Sequence, residues 1–192
     1  MIKDKILASL NHKNFFSEPF THFRIYDVLD PEMHRDLFLT YSDIQTTQPY
    51  GVWDKDMPCD PLWNTELCEL WDSANDISNA CKKFLYLPDT QFETLAVNVP
   101  HHTGGQSNAI IKDWHLDGSD KLLNMIYYLG TGTEKYGAIE LRNANTKKEK
   151  SYPYCANSMI IWANVDPCLH RFRMTDTLHR YTVYVNYVPK NN

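Results

Sequence analysis

The chain has 192 residues, 43% of them apolar and 13% aromatic, with a net charge of −5 and a pI near 5.9. That length supports one full hydrophobic core and leaves no room for two comfortable domains, so residues 1–192 read as a single domain. The acidic balance, with no charge block beyond the short Lys147-Lys148-Glu149-Lys150 run, argues against a broad nucleic-acid-binding surface.

The opening Met1-Ile2-Lys3-Asp4 begins a polar-studded amphipathic helix over 2–11 and lacks the apolar core of a signal peptide. No run approaches the roughly 20 apolar residues of a membrane span. Five cysteines, an odd number with no C-x-x-C pair, indicate neither a disulfide framework nor a thiolate zinc site. The expectation is a soluble, cytoplasmic protein. Phe20 to Val28 reads as a strand, and Asp30-Pro31 then starts a helix carrying Met33, Leu37, Phe38 and Tyr41 on one side. Four turn residues, Pro49, Gly51, Pro58 and Pro61, predict a long loop over 42–61. Leu67, Leu70, Trp71, Ala74, Ile77, Cys81 and Leu85 recur at three- and four-residue steps, which predicts one helix over 62–85.

After Pro88 the apolar period becomes two. Strands are expected near 92–99, 109–115, 121–129, 137–142, 151–155, 158–163, 168–174 and 180–188, separated by Gly, Pro and Asn turns. Short strands in that number suggest a sandwich or barrel, with the helices of residues 1–88 covering one outer face of a core over 89–192. In strand 121–129, Asn124, Ile126 and Tyr128 share one face, and Leu123, Met125 and Tyr127 the other. In strand 180–188, Arg180, Thr182, Tyr184 and Asn186 lie together, backed by Tyr181, Val183, Val185 and Tyr187. A cavity lined by Arg, Tyr, Thr and Asn suits a dicarboxylate, because the guanidinium fork pairs with a carboxylate.

Trp114-His115-Leu116-Asp117 places an imidazole and a carboxylate two residues apart, on one side of a strand. A further imidazole from a distant strand completes two nitrogens and one oxygen on a single metal face, the facial triad of non-haem Fe(II) oxygenases. Two histidines compete for that third place. His170 lies ten residues before Arg180, and His179 one residue before it; His179 would point away from the Arg180 face in a regular strand, so His170 is preferred. His101-His102 precedes Gly104-Gly105, and adjacent imidazoles point apart on a strand, so a second metal site is not expected there. Trp53, Asp54 and Trp63 read as a plug under the long loop.

These motifs resemble the Fe(II)/2-oxoglutarate-dependent oxygenases, particularly the prolyl-4-hydroxylase-like branch of the double-stranded β-helix (jelly-roll) fold. The resemblance covers roughly residues 92–188. His115-Leu116-Asp117 matches the family's H-x-D, Ile126-Tyr127-Tyr128-Leu129 its co-substrate strand, and Gly137-Ala138-Ile139-Glu140-Leu141 its G-G-x-L segment with Ala for the second Gly. His170, 53 residues after Asp117, and then Arg180 follow in the family's order. The resemblance implies a mainly β (α+β) jelly roll with an N-terminal helical layer. It implies His115, Asp117 and His170 as metal ligands, Arg180 and Tyr128 as anchors of 2-oxoglutarate, and Asn124 as a further co-substrate contact. The implied cofactors are Fe(II), 2-oxoglutarate and O2. The implied reaction is oxidative decarboxylation to succinate and CO2 coupled to hydroxylation of an unactivated C–H bond. Retention of Asp117 disfavours the halogenase variant. The prolyl hydroxylases' extra Tyr before H-x-D has no counterpart near Gly104-Gly105, which argues against peptidyl-proline as the substrate, and the lack of a basic groove or an added recognition domain favours a small molecule or a small attached group. A non-catalytic jelly-roll binding protein is the remaining alternative.

Overall fold

A computed structural model describes residues 2–47, 52–54, 65–98, 101–103, 113–118, 121–130, 133–172 and 179–190. Helix α1 (Ile2–Ser9) buries Ile2 and Ile6, one turn apart, and β1 (Phe15–Phe16) then pairs with β2 (His22–Tyr26). Helix α2 (Pro31–Thr47) begins with proline in its first turn, where a missing N–H costs no helical bond. It runs six residues past Tyr41, so the start of the expected 42–61 loop is helical. Val52–Asp54 forms β3, which carries Trp53 and Asp54 and pairs with β4 (Phe92–Asn98). The rest of that loop, with Trp63, lies outside the described residues.

The single helix expected over 62–85 is two helices, α3 (Thr65–Asp72) and α4 (Ala74–Leu85). The break falls at Ser73, whose hydroxyl donates to the Glu69 carbonyl while its N–H donates to Leu70 O at 3.3 Å. A serine hydroxyl that competes for backbone carbonyls offers the chain a way out of the helix. The apolar period survives the break, and Leu70, Ala74, Ile77, Cys81 and Leu85 all stay buried. Helix α4 ends at Tyr86 in the left-handed conformation (φ 55°).

The remaining strands are β5 (His101–Thr103), β6 (Leu123–Tyr128), β7 (Thr133–Asn143), β8 (Glu149–Cys155), β9 (Ser158–Ala163), β10 (Cys168–Arg171) and β11 (His179–Pro189). They form two antiparallel sheets. The larger has the order β1-β2-β9-β6-β11-β4-β3, with β5 also pairing to β11, and the smaller the order β10-β7-β8. The expected strand over 109–115 is reduced, among described residues, to a single bridge between His115 and His170; residues 113 and 114 are not in a strand.

Strands β6 and β11 are buried on both faces, and the period-two alternation decides which core each side chain joins. Leu123, Met125, Tyr127, Val183, Val185 and Tyr187 pack outward against α1, α3 and α4. Ile126 and Tyr128 face inward, with Ile160 and Trp162 of β9, toward Ile139, Leu141, Tyr152, Tyr154 and Cys168 of the smaller sheet. The molecule is thus a jelly roll whose interior is lined by aromatic side chains, with a helical layer on its outer face.

Candidate metal centre

His115 and His170 face each other across an antiparallel bridge, exchanging both backbone hydrogen bonds: His115 N–H to His170 O at 3.2 Å, and His170 N–H to His115 O at 3.0 Å. Directly opposite residues in such a pair project to the same face. Their ring centroids are 4.4 Å apart. The Nδ1–H of His115 donates to the Asp113 carbonyl at 2.7 Å, which leaves Nε2 as the lone-pair nitrogen. His115 Nε2 lies 3.8 Å from Asp117 Oδ1, and His170 Nε2 lies 3.6 Å from Asp117 Oδ2. One ligand atom from each of the three residues falls within 4.8 Å of the others. Two imidazole nitrogens and a carboxylate oxygen at that separation fit a single transition-metal ion of the Fe(II) facial type.

Asp117 is not aimed by strand alternation, since residues 116–118 are outside any strand. Hydrogen bonds aim it instead. Its N–H donates to Asn164 Oδ1 at 3.0 Å, Asn124 Nδ2 donates to Oδ2 at 2.8 Å, and the Tyr184 hydroxyl donates to the same Oδ2. Asn164 is itself anchored by its Nδ2 donating to Lys121 O at 2.9 Å, and Asn186 Nδ2 donates to Asn124 Oδ1 at 2.7 Å. Burial pushes the Asp117 carboxyl up, but His170, the Tyr184 hydroxyl, Lys121 and His115 outweigh it and hold the pKa below the usual carboxylate range. Burial, reinforced by the Asp117 charge, pushes Tyr184 well above the ordinary phenol value, so it stays a neutral donor. Trp162 packs under this group, 5.0 Å from the His170 ring and stacked on Tyr184 at 6.4 Å.

Deeper in the interior, β11 and β6 run side by side with Thr182 opposite Tyr128. Arg180, two residues away on the same face, is 3% exposed. Its guanidinium carbon lies 5.6 Å from the Tyr128 ring centroid and 4.6 Å from that of Phe172. Burial raises the Tyr128 pKa against the pull of Arg180 and Arg24, which keeps the hydroxyl protonated. The hydroxyl of Thr182 is buried without a hydrogen-bond partner among the described residues. A cation, a phenol and an unmet hydroxyl beside an aromatic wall have the donor chemistry to receive a carboxylate.

The structure therefore brings His115, Asp117 and His170 together, and sets Arg180 and Tyr128 side by side. Asn124, read as a co-substrate contact, has its amide committed at both ends, to Asp117 and from Asn186. Its visible work is to hold the carboxylate. His179 lies in β11 opposite Thr103, and His101 and His102 lie opposite Tyr181 and Arg180; the side chains of these three histidines are outside the described set. The polar face of strand 180–188 already signalled Tyr184 and Asn186. Asn164 carried no signal, because a lone Asn after a strand is an ordinary turn residue.

Sequence comparison matches no family model and no curated protein. Structural comparison gives strong likenesses. A Pseudomonas putida prolyl-4-hydroxylase matches with a TM-score of 0.65 at 11% identity, covering 100% of both chains. A Trichoplax adhaerens prolyl hydroxylase, solved with a hypoxia inducible factor peptide fragment, matches with a TM-score of 0.65 at 11% identity, covering 98% of this chain and 89% of that one. The 2-oxoglutarate-dependent carbocyclase SnoK of nogalamycin biosynthesis matches with a TM-score of 0.62 at 11% identity, covering 88% and 79%. At such identities the likeness establishes the fold alone: a jelly roll of the kind these hydroxylases and this carbocyclase share.

Proposed function

We propose that the chain is a single-domain Fe(II)- and 2-oxoglutarate-dependent dioxygenase that hydroxylates an unactivated C–H bond of a small molecule or a small attached group. The observation that carries this reading is the convergence of one ring nitrogen each of His115 and His170 and a carboxylate oxygen of Asp117 within 4.8 Å of one another. His115, Asp117 and His170 would hold the iron, and Arg180 with Tyr128 would hold the distal carboxylate of 2-oxoglutarate. Bound iron, 2-oxoglutarate and O2 would supply the oxidising chemistry, with succinate, CO2 and hydroxylated substrate as products.

The protein's own residues orient and exclude. Asn124, Tyr184 and Asn164 fix the carboxylate, the Asp113 carbonyl fixes the His115 tautomer, and Trp162 stacked on Tyr184 keeps water from the inner side. On the outer side Trp114, one residue before His115, has the Arg171 guanidinium 4.2 Å and that of Arg142 5.5 Å from its ring centroid. Arg171 is held by Glu140 at 2.6 Å. Likeness to a prolyl hydroxylase that was solved with a peptide favours the alternative, a protein hydroxylase of prolyl type. A cytoplasmic setting is part of this reading, and Cys81 and Cys168 are buried free thiols. No helix among them is long and apolar enough to cross a membrane.

The test is iron-dependent conversion of 2-oxoglutarate to succinate by the purified chain, alongside calorimetry of metal binding. Asp117→Ala and His170→Ala should each abolish turnover and metal binding, while His179→Ala keeps both. Metal loss in His179→Ala with retention in His170→Ala would overturn the distal ligand. Arg180→Ala should weaken 2-oxoglutarate binding by about 2–5 kcal/mol, because a carboxylate is left without its charge partner in a poorly solvated pocket. A chain that binds metal and never consumes 2-oxoglutarate would be the silent binding protein.

A further inference from the structure

Arg24 was not a candidate residue in the sequence, yet it is one of two arginines buried among the described residues. It sits on β2 with 1% of its surface exposed, opposite Ile160 of β9, whose other neighbour is Ile126 of β6. Its guanidinium carbon lies 5.2 Å from the Tyr128 ring centroid, 5.5 Å from that of Tyr152 and 4.8 Å from that of Tyr26. Arg180 approaches the same Tyr128 ring at 5.6 Å. Two guanidiniums, arriving from β2 and β11, therefore share one phenol.

The donors of Arg24 are largely unspent. Nη2 reaches the Pro153 carbonyl at 3.3 Å, while Nε and Nη1 are buried with no acceptor among the described residues. No Asp or Glu among those residues is fully buried, and no salt bridge among them includes Arg24. Tyrosine faces offset part of the cost of burying the charge, but an aromatic face does not satisfy in-plane N–H groups. Left so, the cation is expensive to bury. A guest bringing negative charge and several lone pairs would relieve it, and a carboxylate does so with the fork geometry that guanidinium prefers.

We propose that Arg24 is a second anion anchor, so that the distal carboxylate of 2-oxoglutarate is gripped by both Arg180 and Arg24 around the Tyr128 hydroxyl. This deepens the oxygenase reading above and rests on it. Two cations around one carboxylate make the site select strongly for a 2-oxo acid with a distal charge. Arg24 would be a co-substrate-binding residue supplied by the strand that pairs with the edge of the barrel, outside the 92–188 segment that carries the sequence motifs.

The experiment is calorimetry of the whole chain loaded with Mn(II), titrated with 2-oxoglutarate and with 2-oxopentanoate, which lacks the distal carboxylate. Arg24→Met should lower 2-oxoglutarate affinity at least tenfold and leave 2-oxopentanoate affinity unchanged. Its ligand-free melting temperature should equal or exceed that of the parent, since an unsatisfied buried charge is replaced by an unbranched apolar side chain. Arg24→Lys, which keeps a charge without a fork, should fall between. The proposal is overturned if Arg24→Met binds 2-oxoglutarate like the parent, if both ligands weaken equally, or if neither variant folds, because each result makes the guanidinium structural. Arg180→Met separates the two readings. If it loses 2-oxoglutarate while Arg24→Met does not, only the second anchor fails; if the unsubstituted chain does not bind 2-oxoglutarate, the oxygenase reading fails with it.

Discussion

The partners of Asp117 divide its two oxygens. Oδ1 faces His115, while Oδ2 faces His170 and accepts from Asn124 and Tyr184. Groups that orient a ligand in this way typically alter metal affinity 10- to 100-fold when removed. Tyr184→Phe keeps the ring on Trp162 and deletes only the donor, so metal affinity should fall within that range with little loss of fold stability. Calorimetry that finds an unchanged metal affinity would refute the orienting role. His22, on β2 opposite Trp162, offers a different residue-level check. Its Nδ1–H donates to Phe20 O at 2.7 Å, and its Nε2 lies 2.6 Å from the Tyr152 hydroxyl. Burial lowers its pKa from the ordinary 6.5 to about 4. Between those values the unfolded chain takes up a proton that the folded chain refuses, so stability is present near neutrality and lost as pH falls through this window. The depression is worth on the order of 3 kcal/mol. Urea unfolding of His22→Gln should show a shallower fall in stability from pH 6.5 to 4 than the parent. Some slope will remain, because burial also lowers His34. An identical slope would mean that His22 does not titrate this way.

Elements meet tightly where β6 ends. Gly130 follows that strand, and a Cβ there would overlap the Tyr154 hydroxyl and come within 2.8 Å of its Cζ. Tyr154 in turn packs edge-on against Tyr128 at 5.5 Å. Gly130→Ala must therefore push the Tyr154 ring into the interior, at a cost of about 1–3 kcal/mol for overpacking. The shift should also weaken 2-oxoglutarate binding through Tyr128, and Tyr154→Phe should recover part of the stability by removing the overlapped oxygen. Denaturant midpoints for the single and double variants measure this; a neutral Gly130→Ala would mean that the ring yields freely. The elements themselves were unevenly legible. Strands β6, β8, β9 and β11 lie close to where period-two alternation puts them, because alternating burial is a local property of one strand between two cores. The break at Ser73 was not legible, since the apolar period runs through it and only the hydroxyl's choice of the Glu69 carbonyl ends the helix. The extension of α2 to Thr47 was hidden by the turn residues just beyond it.

At the scale of the molecule, one sheet separates two cores. The outer core, with the helices, stabilises the scaffold; the inner one adjoins, among the described residues, two buried arginines and the candidate metal-centre residues. The unmet donors of Arg24 make such an interior costly without a guest, so ligand binding should couple strongly to global stability. Ligands that bind only the folded state stabilise it by about 2.7 kcal/mol at 100 times their dissociation constant. Mn(II) and 2-oxoglutarate together should raise the melting temperature more than the sum of each alone, because chelation and anchoring share one site. Strict additivity in thermal denaturation would argue that metal and co-substrate occupy separate places.

By itself the sequence determined the donor types and their order: an imidazole and a carboxylate two residues apart, a distant imidazole, then an arginine after a fixed interval. It also determined the inward faces of the two central strands, because side-chain alternation needs no knowledge of what lies opposite. Tertiary structure decided everything that depends on a partner from elsewhere in the chain. The bridge that sets His115 against His170 did not follow from the local pattern, and neither did Asn164 beneath Asp117, 47 residues distant. Asn124 turned from a pocket-lining residue into a carboxylate holder only because Asp117 and Asn186 come within reach of its amide. Arg24 reads in sequence as one charge in a short strand; only the pairing of β2 with β9 brings its guanidinium onto Tyr128. Burial of a charge is a property of the assembled interior, and a linear chain does not carry it.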